Sequence, residues 1–298
     1  MSNKTKNLLI VGDNPFHGIS HLSQDRARQR NNKIKTANYA AELVMMSVQN
    51  SANGFMFSVS DLTLSTLEIL NEKSSNFPIL YAIVPYAYEY VRLAASLGTA
   101  GLATHLGKQV MYSRNFRTIA NGLKGFAMMD PVALLKTYVL YELSRIKSVI
   151  GNHTLKSFIL HEVVTDMFLA LNLDWIIKAF INFVSGLGIT PGFETRNFPY
   201  LVNKFKKWNI NFNDKIIVAS FNKVGFQMNP SKTDCEIALK EIPEGNVIAM
   251  SILAAGYLKL FDAVEYIKSL SNLSGVVVGV SKERHASETF GYLKSRFS

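Results

Sequence analysis

The chain has 298 residues, of which 32 are Lys or Arg and 22 are Asp or Glu, so its formal net charge is +10. Apolar residue types account for 48% and charged types for 18%, which excludes a disordered chain, a collagen and a coiled coil. The single cysteine, Cys235, excludes a disulfide framework and a cysteine-rich metal site. The length suits one α/β barrel, which needs about 250 residues, although it also allows two domains.

The distribution of charge and hydropathy predicts a cytoplasmic protein. The short apolar segment 8–11 is too short for a signal peptide, and the apolar stretch 167–193 is interrupted by charged residues, glycine and proline. We therefore expect no membrane partner. No block of five like charges occurs, so we interpret the net charge as a solvated basic surface and expect no nucleic-acid partner.

Eight short apolar segments predict strands that are covered on both faces, because each is too short for a helix and lacks polar alternation. These segments are 8–11, 55–59, 79–84, 157–160, 189–193, 215–220, 247–252 and 276–280. Segments with helical spacing lie between them at 40–48, 62–70 and 261–270, and Asp61 is the predicted N-cap of the second. This alternation predicts an α/β fold of the (β/α)8 TIM-barrel class. A doubly wound open sheet is the alternative.

The connection between the third and fourth strands predicts a long helical insertion, at about 86–156. Within it, 86–98 and 131–150 have helical patterns, and Asp130 and Pro131 form a typical start for the second helix. The segment 101–129 is rich in Gly, Met, Asn and Arg, and we interpret it as a lid, a helical decoration or an oligomer contact. Without a repeat or a low-complexity tract, we predict one domain spanning 1–298.

The candidate catalytic residues follow the predicted strands, where TIM barrels carry their chemistry. His161 and Glu194 each come directly after a predicted strand, the fourth and the fifth. Asp61 and Tyr86 follow the second and third predicted strands. Such groups suit general acid–base catalysis. Two alternatives remain. Asp61 could serve only as a helix cap, and His161 could be a histidine packed in the top of the barrel. His17 and His21 are four residues apart, but a Pro and a Gly beside them favour a loop, so no metal site is predicted.

The last two predicted strands run into loops that suit a phosphate group. Such loops offer backbone N–H groups, a hydroxyl group, cations and glycines that permit close approach. The candidate residues are Ser251, Gly256, Gly279, Ser281, Lys282 and Arg284. We therefore expect a small phosphorylated ligand as partner. The alternative is an ordinary glycine turn followed by exposed cations.

Three segments of the second half resemble the aldo-keto reductase superfamily. The sequence FILH at 158–161 resembles the family's fourth strand, which ends in its active-site His. The segment 247–258 resembles the seventh strand, where a Ser and a Leu precede a loop that contains Gly. The segment 278–281, followed by Glu288, resembles the eighth strand, which in the family helps to hold the cofactor's phosphate. The resemblance implies a (β/α)8 barrel and NADP(H) as a possible cofactor. The family's catalytic Tyr and Lys have no counterpart here, because Asp61 is followed by LTLST and the third strand ends in Val-Pro-Tyr.

Three functions therefore stay open. The first is an aldo-keto-reductase-like enzyme of undetermined reaction, with oxidoreductase chemistry as one version. The second is a lyase or aldolase in which Lys223 forms a Schiff base. The third is a non-catalytic barrel that only binds a ligand. No pattern in the sequence predicts the oligomeric state.

Overall fold

Eight parallel strands form a closed barrel in this computed structural model, which describes residues 8–18, 36–85, 130–243 and 245–297. The strands are β1 (Leu8–Gly12), β2 (Gly54–Ser58), β3 (Ile79–Val84), β4 (Leu155–Leu160), β5 (Thr190–Thr195), β6 (Ile216–Ser220), β7 (Val247–Met250) and β8 (Leu273–Gly279). Each pairs with the next, and β8 pairs with β1, which closes the ring. The predicted (β/α)8 barrel is confirmed, and the open-sheet alternative is wrong. Every predicted strand is present, with ends that differ by a few residues.

Helices pack around the barrel. In the described residues they are α1 (Ala37–Gln49), α2 (Asp61–Lys73), α3 (Pro131–Val149), α4 (Glu162–Ala170), α5 (Asp174–Ser185), α6 (Phe198–Lys207), α7 (Lys232–Lys240), α8 (Leu260–Lys268) and α9 (Glu283–Phe297), with a 3-10 turn at Ala254–Gly256. None of these helices is both long enough and apolar enough to cross a bilayer. The cytoplasmic location stays a prediction.

The strand residues divide into two apolar regions because successive side chains point to opposite faces. Ile10 belongs to the cluster inside the barrel, whereas its neighbours Leu9 and Val11 pack outward against the helices. The inner cluster is formed by Ile10, Met56, Tyr81, Ile83, Ile159, Val218, Ile248 and Met250. This packed interior leaves room for a ligand only at the barrel's ends, as is usual in this fold.

Helix caps explain where two predicted helices begin. Asp130 accepts the Val132 N–H at 2.9 Å and precedes Pro131, so the predicted start of α3 is confirmed. The predicted Asp61 cap is wrong by one residue. Ser60 caps α2 instead, because its hydroxyl accepts the Thr63 N–H at 3.2 Å while the Thr63 hydroxyl accepts the Ser60 N–H at 3.0 Å. This reciprocal arrangement satisfies two backbone donors.

Helix α3 is the described part of the predicted insertion between β3 and β4. The predicted helix at 86–98 and the segment 101–129 lie outside the described residues, as does Tyr86. The assignment of one domain to 1–298 stays a prediction.

Candidate functional site

The carboxyl ends of the strands surround a cavity of about 330 Å³. Pockets of this size are typical of small-molecule sites, and this end of a TIM barrel is where catalytic residues lie. The polar part of the lining is formed by Asp13, Asn14, Ser58, His161, Glu162, Glu194, Arg196, Ser251, Ser281 and His285. We refer to this space as the mouth cavity.

The structure brings most of the predicted site residues to the mouth cavity. His161, Glu194, Ser251, Gly256, Gly279 and Ser281 line it. Among the described residues, the lining does not include Asp61, Lys282 or Arg284. The sequence thus located the cavity, although three of the polar candidates lie outside it.

Asp61 and the two cations have other surroundings. The Asp61 side chain is 92% exposed, and its carboxylate pairs with Arg145 on α3 at 2.8 Å. Lys282 lies on the surface just before α9, and the 80% exposed Arg284 pairs with Glu288 one turn further along that helix. These positions favour the alternative in which Lys282 and Arg284 are exposed surface cations, and they give Asp61 a structural role.

Glu194 is a buried acid of the site, as is Asp13. Glu194 is the next-to-last residue of β5 and only 8% exposed, and one carboxylate oxygen accepts the Glu162 N–H at 3.4 Å. Burial, helped by the nearby carboxylates of Glu162 and Asp13 and opposed by the charge of Arg196, raises the pKa of Glu194 to about 8. Glu194 is therefore largely protonated at neutral pH.

His161 is held in one tautomer by the helix that follows it. Its Nδ1 accepts the Val163 N–H at 3.2 Å and so caps α4. An accepting Nδ1 carries a lone pair, so in the neutral ring the proton is on Nε2. Burial lowers the pKa of His161, and the positive charge of Arg196 lowers it further while Glu162 and Asp13 oppose this effect. The ring is therefore a neutral hydrogen-bond donor at the cavity.

The capping role of His161 predicts a stability difference between two substitutions. We expect His161→Ala to be less stable than His161→Asn by about 1 kcal/mol, because Asn retains a side-chain acceptor at the N-cap. Urea unfolding followed by circular dichroism measures this difference. Equal stabilities of the two variants would contradict the cap and the tautomer derived from it.

Arg196 lines the mouth cavity but is not among the candidates that the sequence singled out. Its Nε pairs with the Glu162 carboxylate, and its Nη1 donates to the Gln227 amide oxygen. Its backbone N–H donates to Asp166 at 3.0 Å, and the same carboxylate accepts the Thr195 hydroxyl at 2.5 Å. Burial raises the pKa of Asp166, which these two bonds oppose. The end of β5 is thus fixed by α4.

Asp13 fixes the opposite side of the cavity. Its carboxylate accepts the Ser58 N–H at 2.7 Å and contacts His17 Nε2 at 3.0 Å, which ties the end of β1 to the end of β2. Among the described residues, no group of three or more His, Cys, Asp or Glu side chains could hold a metal ion. His21 lies outside these residues.

The loop after β7 has an unusual backbone, and a glycine at the end of β8 is packed tightly. Ser251, Ala255 and Gly256 all have positive φ, of 56°, 59° and 92°. Gly256 has open space where a Cβ would be, so its role there is conformational. Gly279 has a packing role, because a Cβ would lie 2.8 Å from the Pro15 ring. The Gly256 N–H donates to the Leu253 carbonyl at 2.8 Å, so the loop is held in this shape by its own backbone.

The structure does not favour the Schiff-base alternative. Lys223 is 54% exposed and pairs with Asp262 on α8 at 2.8 Å, which lowers the pKa of Asp262. It does not line the mouth cavity. A lysine that forms a Schiff base is usually desolvated, whereas Lys223 is half-exposed and paired with a carboxylate.

Two solved structures from Pseudomonas aeruginosa, both described as a "putative aldo-keto reductase", resemble this chain with a TM-score of 0.57. The fold is an aldo-keto-reductase-like TIM barrel. The two are 10% and 9% identical to this chain, and the matches cover 97% of it and 91% and 90% of their chains. No protein-family model and no curated protein matches the sequence. At this level of identity the likeness establishes the fold alone, so function depends on the side chains present.

The residues of the aldo-keto-reductase-like barrel fit NADP(H) only in part. Ser251, Gly256 and Ser281, which the sequence predicts as phosphate-binding residues, line the cavity after β7 and β8. Among the described residues, however, no tyrosine and no lysine lines the cavity beside His161. The described lining therefore does not supply the tyrosine and lysine of the family's usual reductase chemistry.

Proposed function

We propose that this chain is an enzyme that binds a small phosphorylated ligand in the mouth cavity and transfers a proton to or from it through Glu194. One observation carries the proposal: a buried carboxyl group whose pKa is raised to about 8 lies in the same cavity as a neutral histidine. A pKa close to the working pH suits a general acid or base. Strongly shifted groups in clefts are typical of functional sites.

Glu194 and His161 would have different tasks. Glu194 holds a proton in the absence of ligand and would deliver it to the reacting atom, or take one up once ionised. His161 would donate its Nε2–H to a ligand oxygen and stabilise the negative charge that develops there. Because Nδ1 is occupied by the Val163 N–H, the ring donates without changing its protonation state.

The phosphate group would bind at the loops after β7 and β8. Ser281 lines the cavity and lies just before α9, a helix of 15 residues whose first turn also brings His285 to the lining. The N-terminal end of a helix carries partial positive charge, which favours a phosphate group there. Ser251, which also lines the cavity, would complete this phosphate cradle.

NADP(H) is one version of this phosphorylated ligand, implied by the resemblance. Bound at these loops, it would supply a hydride. The described residues would hold its phosphate and orient a substrate oxygen at His161, and Glu194 would exchange the proton that accompanies reduction. A phosphorylated metabolite without a nicotinamide is the other version, and it requires the same two residues.

The experiment compares phosphorylated compounds with their dephosphorylated parents. Calorimetry with small sugar and glycerol phosphates, and nicotinamide fluorescence with NADPH and NADH, measure binding by the wild type. We expect at least one phosphorylated compound to bind at least tenfold more tightly than its parent. Failure of both cofactors to bind at millimolar concentration removes the dinucleotide version.

A matched pair of variants locates the phosphate. Ser281→Asp places a negative charge at the proposed cradle and should abolish the preference for the phosphorylated compound. Ser295→Asp places the same charge near the end of α9, on an exposed residue, and should leave the preference intact. If Ser281→Asp retains the preference, the phosphate binds elsewhere.

A further inference from the structure

We infer that Arg196 binds a carboxylate group of the ligand, so that the substrate is a small carboxylic acid. The inference rests on the proposed function, because it adds a second anchor to the same cavity. It concerns a residue that neither the sequence motifs nor the resemblance to a family assigns.

The guanidinium of Arg196 is only partly used by the protein. Its Nε is paired with Glu162, and its Nη1 donates to Gln227 and, at 3.4 Å, to the Ser220 hydroxyl. Within the described part of the chain, Nη2 has no hydrogen-bond partner. Arg196 lines the mouth cavity, and its side chain is 23% exposed. Two N–H donors of a fixed cation are therefore available to a ligand.

The position of this cation is fixed by residues behind it. Gln227 lies in the loop after β6, where the Asn222 side chain accepts the Phe226 N–H at 2.8 Å and donates to the Phe226 carbonyl at 2.8 Å. The Gln227 amide oxygen also contacts the Ser251 hydroxyl at 3.4 Å. A guanidinium held in one plane loses little freedom on binding, so the interaction with a planar anion is strengthened.

The rest of the cavity favours an anion at this place. His161 presents a neutral N–H donor, and Glu194 carries a proton at neutral pH. The other two carboxyl groups of the lining already have partners in the protein, Glu162 with Arg196 and Asp13 with the Ser58 N–H and His17. A carboxylate only accepts hydrogen bonds and so matches these donors, whereas an amide or an ammonium group would direct its own donors at them.

The test uses two probes of nearly the same shape. L-lactate and L-lactamide differ in one carboxylate that is replaced by an amide. Both are titrated into the wild type at constant ionic strength, and binding is followed through the Arg196 Nε–H resonance in ¹⁵N NMR spectra. We expect lactate to bind at least tenfold more tightly than lactamide, since a charge-assisted hydrogen bond supports a preference of roughly 10- to 100-fold.

Variants assign this preference to Arg196. Arg196→Gln should reduce the ratio of the two dissociation constants to nearly one, with binding of the Gln variant followed through backbone amide shifts. The double variant Glu162→Gln/Arg196→Gln leaves no unpaired charge and gives the same test if the single variant does not fold. Arg296→Gln removes an exposed cation at the end of α9 and should keep the preference.

Glu194→Gln separates this inference from the proposed function. If Arg196 binds the carboxylate, this variant keeps the preference for lactate, even though it cannot transfer a proton. A wild type that binds both probes equally, or a preference that survives Arg196→Gln, overturns the inference. If Glu194 titrates near the ordinary glutamate pKa while the protein still prefers lactate to lactamide, the proposed role of Glu194 is overturned and the Arg196 site remains.

Discussion

Glu194→Gln is expected to make the protein more stable than the wild type at pH 9 by several kcal/mol, and to change its stability little at pH 5. The pKa of Glu194 is about 8 in the folded protein against an ordinary value of 4.5. Between these values the folded state holds a proton that the unfolded state has lost, so the wild type loses stability as the pH rises. A pKa shift of this size lowers the free energy of unfolding by roughly 5 kcal/mol once Glu194 is fully ionised in the folded protein.

Urea unfolding at pH 5, 7 and 9 measures this effect as the difference between variant and wild type. The difference isolates Glu194 from other groups, such as His161 and His285, whose pKa values burial lowers. Glu241→Gln is the control, because Glu241 forms a surface pair with Lys206 that contributes about 0–1 kcal/mol. If the difference in free energy of unfolding between Glu194→Gln and the wild type is the same at pH 5 and pH 9, Glu194 is not a buried, protonated acid.

Gly275→Ala is expected to destabilise the barrel by roughly 3 kcal/mol or more. Gly275 lies opposite Leu8 where β8 meets β1, and an added Cβ would lie 2.4 Å from both the Cβ and the carbonyl oxygen of Leu8. The obstacle includes backbone, so no change of rotamer relieves it. The strands would have to separate at the seam that closes the ring.

Gly291→Ala is the matched control for this prediction. Gly291 lies in α9, where an added Cβ meets no atom within 4 Å, so the change should stabilise the protein by about 0.5–1 kcal/mol through helix propensity. Unfolding in urea, followed by circular dichroism, compares both variants with the wild type. Similar stabilities for the two alanine variants would show that the seam between β1 and β8 is not tightly closed.

The strands were predictable because burial on both faces leaves a continuous apolar run. Segment 79–84 matches β3 at both ends. The start of β8 was missed because Ser274 and Gly275 interrupt the apolar pattern. Only the register with β1 shows why a glycine is needed there, and register depends on contacts that a single sequence does not display.

The site was predictable where a residue follows its strand directly. His161 and Glu194 reach the cavity for this reason. Asp61 also follows a strand closely, but it lies in the first turn of α2 and pairs with Arg145 outside the mouth cavity. The contacts of Arg196 could not be predicted because its partners, Glu162 at the start of α4 and Gln227 in the loop after β6, meet it only when the barrel closes.

The most direct test of the account is the titration of one carboxyl group. In protein labelled with ¹³C at the glutamate side-chain carboxyl carbon, the Glu194 signal is assigned by its absence from the Glu194→Gln spectrum. We expect this signal to titrate near pH 8, well above the surface glutamates. A Glu194 signal that titrates near pH 4.5 with the others would contradict the claim that the barrel mouth holds a protonated acid.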